Sequence, residues 1–195
     1  GDRVGLVLFA DHGYLQTPLT LDRNTVAQQL ERAVLGLIGE STAIGEGLGV
    51  ATKTFIDSKA PQRVIILLSD GANTAGVIDP LEAAELAKEN DVTIYTIGVG
   101  ADSMLQRTLF GSRRVNPSQD LDERTLTDIA KMTGGEYFRA RDRKELETIY
   151  QLIDQLEPIS TVQQTWRPRD ELFRFPLGFA LALSVVIVVL RRRHG

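Results

Sequence analysis

Apolar positions along this chain follow two rhythms. Short, largely apolar stretches fall at residues 4–10, 64–69 and 92–99, and that at 64–68 is unbroken. All are bounded by turn formers; 64–69 and 92–99 are rich in Val and Ile, the pattern of strands buried in a sheet. Between them apolar residues recur at helical spacing. Val26, Leu30, Ala33, Val34 and Leu37 follow Asp22, a capping residue. Residues 44–58 predict a second helix, and its Gly45, Gly47 and Gly49 imply close packing or a nearby ligand. Pro80 opens a third, with Ala83, Ala84, Leu86 and Ala87 toward the core. Asp122 caps a fourth that stops at Gly134-Gly135. Leu146, Ile149, Ile153 and Leu156 make one stripe of a fifth, over 144–156. Residues 14–17 predict a short edge strand joined to the first by an Asp11-His12-Gly13 turn, 136–139 a short strand, and 100–121 a long polar loop. Strands alternating with helices predict an α/β fold: a doubly wound, mainly parallel sheet with helices on both faces.

The C-terminal end has a different rhythm. Residues 175–190 carry no charge and run into Arg191-Arg192-Arg193. That stretch is slightly under the roughly 18 residues of a spanning helix. Leu172 and Phe173 lengthen it, and Arg174 can snorkel to an interface. It is apolar all round, without the polar face of a surface helix. The expected organisation is a domain over 1–157, a juxtamembrane linker over 158–171, a transmembrane helix over 172–190 and a basic tail over 191–195. The basic cluster places the tail on the cytoplasmic side of a cell membrane and the main domain outside, periplasmic or extracellular. The opposing charges Arg167, Arg169 and Arg174 lie on the other flank. The chain starts at Gly1 almost directly in a strand, which reads as a piece of a longer protein.

Composition narrows the chemistry. The 195 residues are 43% hydrophobic and 25% charged, ordinary for a globular domain. A net charge of -4 without an extended basic run argues against nucleic acid. With no cysteine there is no disulfide, thiolate metal site or cysteine nucleophile. The two histidines are His12 and His194, too few for a multi-histidine metal site. No Gly-x-Ser-x-Gly surrounds Ser41 or Ser69, which argues against a serine hydrolase. Gly45-Glu46-Gly47-Leu48-Gly49 does not directly follow a strand and lacks dinucleotide spacing, and Gly98-Val99-Gly100 reads as a strand-end turn. His12 reads as a solvated turn residue, Arg107, Arg113 and Arg114 as a solvated loop, and Trp166 as a packing or interface aromatic.

One carboxylate stands out. Strand 64–69 runs straight into Ser69-Asp70-Gly71, which puts Asp70 at the C-terminal edge of the sheet, where open α/β sheets bind ligands. Thr42, in the loop before the second helix, can reach the same rim. A carboxylate and a hydroxyl, with no nitrogen or sulfur, suit a hard cation such as Mg²⁺.

The segments GDRVGLVLF, GESTAIGEGLGVA, RVIILLSDGANTAG and VTIYTIGVG, in this order, resemble a von Willebrand factor A domain. The nearer likeness is to the membrane-anchored Bat (aerotolerance) type of bacteria, and RDELFRFPLGFALAL resembles the juxtamembrane end of those proteins. The resemblance implies a metal-ion-dependent adhesion site that binds Mg²⁺ through three loops, with Thr42 and Asp70 as the metal residues of the second and third. The first loop of such sites carries Asp-x-Ser-x-Ser, which this sequence lacks; by the family's order, that loop, with the first strand and helix, lies before Gly1. The resemblance further implies no catalysis, but Mg²⁺-bridged binding of a protein partner's Asp or Glu. It implies other Bat-type proteins and a MoxR-type AAA+ ATPase as partners. The alternative is a membrane scaffold with a vestigial metal site.

Overall fold

The structure is a computed structural model, and it describes residues 2–33, 39, 41–58, 62–100, 104–108, 111–115, 120–157 and 192; of 104–108 and 111–115 it describes the backbone alone. The chain divides into two compact units, Gly1–Pro158 and Ile159–Gly195. In order, the first unit contains β1 (Val4–Phe9), β2 (Gly13–Thr20), α1 (Arg23–Glu31), α2 (Ile44–Ser58), β3 (Val64–Ser69), α3 (Pro80–Glu89), β4 (Thr93–Val99), β5 (Met104–Thr108), β6 (Gly111–Val115), α4 (Glu123–Met132), β7 (Tyr137–Ala140) and α5 (Arg143–Leu156).

The centre is a parallel sheet in the order β3-β4-β7. Side chains alternate across a strand, so each strand feeds two cores. One face holds Ile65, Leu67 and Ile94 against Ile44 and Leu48 of α2, Ala83, Ala84 and Ala87 of α3, and Leu126 and Ile129 of α4. The other holds Tyr95, Ile97 and Ala140 against Ile149 and Ile153 of α5. Helices therefore cover both faces, as the alternation of strand and helix predicts. Strand β3 is buried unevenly: Ile65 and Leu67 are buried, while Val64, Ile66 and Leu68 are only partly covered, so it is not enclosed on both faces alike.

Several elements depart from the sequence reading. β1 and β2 form a separate antiparallel pair, and β2 runs eight residues rather than four. Its Pro18 has no N–H to donate, which is tolerated on an edge strand. The stretch 100–121 is not all loop: β5 and β6 pair antiparallel, Gln106 opposite Arg113 and Arg107 opposite Ser112. Local pairing across a short connection needs no apolar alternation, so polar composition concealed it. α1 ends at its cap Arg32 and buries only Val26; Leu30 is exposed, Ala33 follows the helix, and Val34 and Leu37 lie outside the described residues. Leu86 also faces water, because the three alanines of α3 fill the contact with the sheet. Leu156 is likewise exposed.

Aspartates begin four helices. Asp22, Asp79, Asp122 and Asp142 each accept a hydrogen bond from the first turn. α5 ends where the Glu157 carboxylate accepts from the Tyr95 hydroxyl at 3.0 Å and the Gln62 amide at 2.8 Å. Burial, with Glu157 beside it, pushes the Tyr95 hydroxyl up to about 12. This fastens the end of α5 beside the N-terminal ends of β3 and β4.

The apolar segment 172–190 and Trp166 lie outside the described residues. Among the described residues, no helix is long and apolar enough to cross a membrane.

Candidate functional site

The C-terminal ends of β3 and β4 lie side by side, Ser69 opposite Gly98. Asp70 is the next residue after β3 and is exposed. The turn behind it is shaped by Ser69, whose hydroxyl donates to the Gly71 carbonyl at 3.0 Å. Thr42 is half-buried, two residues before α2.

The two loops are stitched together. The Thr42 amide donates to Thr74 Oγ1 at 2.9 Å, and the Thr42 carbonyl accepts from the amides of Thr74 at 2.9 Å and Ala75 at 3.1 Å. Two residues on, the Ile44 amide donates to Asn73 Oδ1 at 2.8 Å. The first amides of a helix have no partner within it. Asn73 therefore caps α2 from 29 residues away in sequence. Folding thus draws the Thr42 loop against the segment that leaves Asp70.

A second clasp lies beside the first. Glu46, on the first turn of α2, accepts from the Val77 amide at 3.0 Å and the Gly13 amide at 3.3 Å, and pairs with His12 Nδ1 at 3.0 Å. The Val77 amide and then His12 hold its carboxyl below the usual carboxylate range. His12 is thus more than a solvated turn residue, although its side chain stays 64% exposed with its ring edge-on to Tyr14. Asp11, before it, accepts from the Ser41 amide at 3.0 Å.

The glycines of α2 serve packing. A Cβ on Gly45 would run into the Ile78 carbonyl, and one on Gly47 would press on the Phe9 ring at 3.0 Å. Gly49 has only ordinary contact, 3.5 Å to Ile78 Cδ1. Neither nucleotide nor phosphate is needed to explain them.

Oxygen chemistry at the rim suits a hard cation in kind. Among the described residues the Asp70 carboxylate and the Thr42 hydroxyl make no hydrogen bond or ion pair, unlike the aspartates that cap helices. In number they fall short, since such ions take six or more oxygens. No group of three His, Cys, Asp or Glu gathers around a common point among the described residues. A cleft of about 220 Å³ nearby is lined by Asn73, Asp79, Pro80, Leu81, Asp122 and Thr125, but its two aspartates are already engaged as helix caps. The side chains of Arg107, Arg113 and Arg114 lie outside the described residues. Asn73, Thr74 and Glu46 escaped the sequence reading, because each acts on a partner about thirty residues away.

The family model for the von Willebrand factor type A domain matches residues 1–152. A UPF0353 protein of Nocardia farcinica is 28% identical over 182 residues, covering 80% of this chain and 51% of the relative. The chain spans about half the length of the curated relatives it matches. Among solved structures, an uncharacterized membrane spanning protein from Vibrio fischeri is 70% identical, over 81% of this chain and 78% of the other, with a TM-score of 0.49. An aerotolerance-related membrane protein from Bacteroides fragilis is 25% identical over 78% and 79%, with a TM-score of 0.57. Proximal thread matrix protein 1 from the mussel byssus, solved with a zinc-occupied MIDAS motif, is 25% identical over 78% of this chain and 35% of its own, with a TM-score of 0.58.

Proposed function

The chain belongs to the von Willebrand factor type A family, and on that premise we propose that it is a non-enzymatic, membrane-anchored module that grips a protein partner through a divalent cation. Thr42 and Asp70 would hold the ion, directly or through water. The ion would supply positive charge and a fixed direction for a partner's Asp or Glu. The observation that supports this reading is the double stitch of Thr42 and Ile44 to Asn73 and Thr74, which ties the Thr42 loop to the segment that follows Asp70. The zinc-occupied motif of the mussel protein supports a divalent ion; Mg²⁺ is our choice for an all-oxygen donor set. An Asp-x-Ser-x-Ser loop, supplied by further sequence of the same polypeptide, would complete the shell.

Residues 172–190 would span the membrane, with the 1–157 domain outside the cell membrane and the 191–195 tail in the cytoplasm. The Bacteroides relative is described as an aerotolerance-related membrane protein, which supports a Bat-type envelope assembly. Other Bat-type proteins and a MoxR-type AAA+ ATPase are the partners that assembly would contain.

Calorimetric titration of the full-length protein with Mg²⁺ and Mn²⁺ tests the site. Asp70→Ala and Thr42→Ala should each weaken cation binding about tenfold or more, and chelation should release the partner. Cation affinity unchanged in both variants would sink the reading.

A further inference from the structure

Asp70-Gly71 is the one place in the sequence where Asp or Asn precedes Gly. That order has a chemical consequence. An aspartyl side chain is short and lies close to the backbone nitrogen of the next residue. That nitrogen can attack Cγ, and glycine offers it without a Cβ in the way. In a folded chain the attack also requires an unengaged carboxyl, a loosely held amide and room for the backbone to turn.

The end of β3 provides all three. Asp70 is exposed, and among the described residues its carboxylate makes no hydrogen bond or ion pair. The Gly71 amide donates only to Ser69 Oγ among the described residues, at 3.4 Å, a long and weak bond. The Ser69 hydroxyl also donates to the Gly71 carbonyl at 3.0 Å, which lies outside the ring that the attack closes. A Cβ placed on Gly71 would meet nothing within 4 Å.

Other aspartates lack this combination. Asp22, Asp79, Asp122 and Asp142 are engaged as helix caps, and Pro80 after Asp79 has no N–H. Asp57, Asp128 and Asp154 lie within α2, α4 and α5, where the next amide is bonded in the helix. Asp91 precedes Val92, whose amide donates to the Ala87 carbonyl at 3.0 Å.

We propose that Asp70 is a site of spontaneous isoaspartate formation in the folded protein. With the carboxyl protonated, the Gly71 nitrogen bonds to Asp70 Cγ and gives up its proton, and one water leaves from Cγ. This closes a succinimide. Water then adds at the main-chain carbonyl carbon of Asp70 and breaks its bond to the Gly71 nitrogen. The main chain now runs through Cβ and Cγ, one carbon longer, and the old main-chain carbonyl carbon becomes the free carboxylate. The water lost is the water regained, so no oxidant, reductant or enzyme is needed. The product re-aims the carboxylate that β3 delivers to the sheet rim and lengthens the chain ahead of the stitched Asn73 and Thr74. The chemistry is the same whether or not the rim holds a cation.

The test is to age the full-length protein at neutral pH beside a synthetic peptide of residues 67–75, which has no fold to protect it. Trypsin releases residues 64–88, between Arg63 and Lys88. The isomerised form has the same mass but a different chromatographic retention, and the aspartate-specific protease Asp-N no longer cuts before residue 70. An open loop needs little local unfolding, so the rate in the protein should lie within about tenfold of that in the peptide. Were global unfolding required, the protein would be slower by about a thousandfold or more. Gly71 has a φ outside the left-handed region and open space around it, so alanine fits there. Gly71→Ala should keep thermal stability, or raise it slightly, and slow the conversion severalfold. Asp70→Glu, whose longer side chain does not close this ring, should stop it. A rate in the protein more than about tenfold below that in the peptide overturns the proposal. So does conversion that appears first at another residue, or a rate that Gly71→Ala leaves unchanged.

Discussion

Thr42 and Thr74 are bonded to each other in both directions: the Thr42 amide donates to Thr74 Oγ1, and the Thr74 amide donates to the Thr42 carbonyl, each at 2.9 Å. The pair fixes the spacing between the loop that bears the candidate hydroxyl and the loop that follows the candidate carboxylate.

Thr74→Val keeps the shape of the side chain and the backbone bond but leaves the Thr42 amide to water. The site is exposed, so the loss in stability should be small, about 1 kcal/mol or less. Cation affinity should fall severalfold, and Thr74→Ser should restore it. Urea unfolding and a cation titration on the same samples separate the two effects.

Asn73 caps α2 across the fold. Asn73→Ala should cost about 1 kcal/mol, the usual value for a lost N-terminal cap, whereas Asn73→Asp should retain most of it. The check is the urea midpoint at constant slope. A cost equal in both variants would show that the side chain acts through something other than its acceptor oxygen.

Gly45 and Gly49 lie four residues apart on one helix yet should respond to alanine with opposite signs. At Gly45 the new methyl meets the Ile78 carbonyl and must displace the 77–79 segment, so stability falls. At Gly49 it meets only a flexible Ile78 methyl at 3.5 Å. There the gain in helix propensity, up to about 1 kcal/mol, should dominate. Thermal unfolding of the two variants decides.

Glu46 makes stability depend on acid. Its carboxyl titrates lower in the folded chain, chiefly through the Val77 amide and then His12. The bonds therefore contribute above the unfolded glutamate pKa of about 4.3, and that contribution disappears as pH falls through the lower folded value. Asp22 and Asp122 are lowered by their Thr25 and Thr125 partners and act in the same direction. Urea midpoints followed from about pH 7 to about pH 3 should drop in the unmodified protein, and less steeply in Glu46→Gln.

Much of the fold was legible because short apolar runs and capping residues are local signals. Strands 64–69 and 92–99 stand out from their Val and Ile content, and Asp22 and Asp122 from their place before helical spacing. Leu86 and Leu30 were misplaced because spacing shows which residues share a helix face, not how wide a face its neighbours cover. β5 and β6 were hidden for the reverse reason, since their pairing is written in backbone geometry rather than in side-chain polarity. At the rim, the position of Asp70 was legible because a strand delivers it. Asn73, Thr74 and Glu46 were missed because their work spans about thirty residues of sequence and ordinary loops contain the same residue types.

Glu157 gives the fold a mechanical polarity. It secures the end of α5 beside the starts of β3 and β4, while Asp70 leaves from the finish of β3. Between them lie six strand residues, about 20 Å of extended chain. A pull applied at the rim and resisted beyond Glu157 would run lengthwise along β3. The evenly spaced bonds that join β3 to β4 would then share the load in shear, sliding together instead of opening one after another. Load along that axis would therefore meet the parallel pair where its bonds yield together, not where they unzip singly.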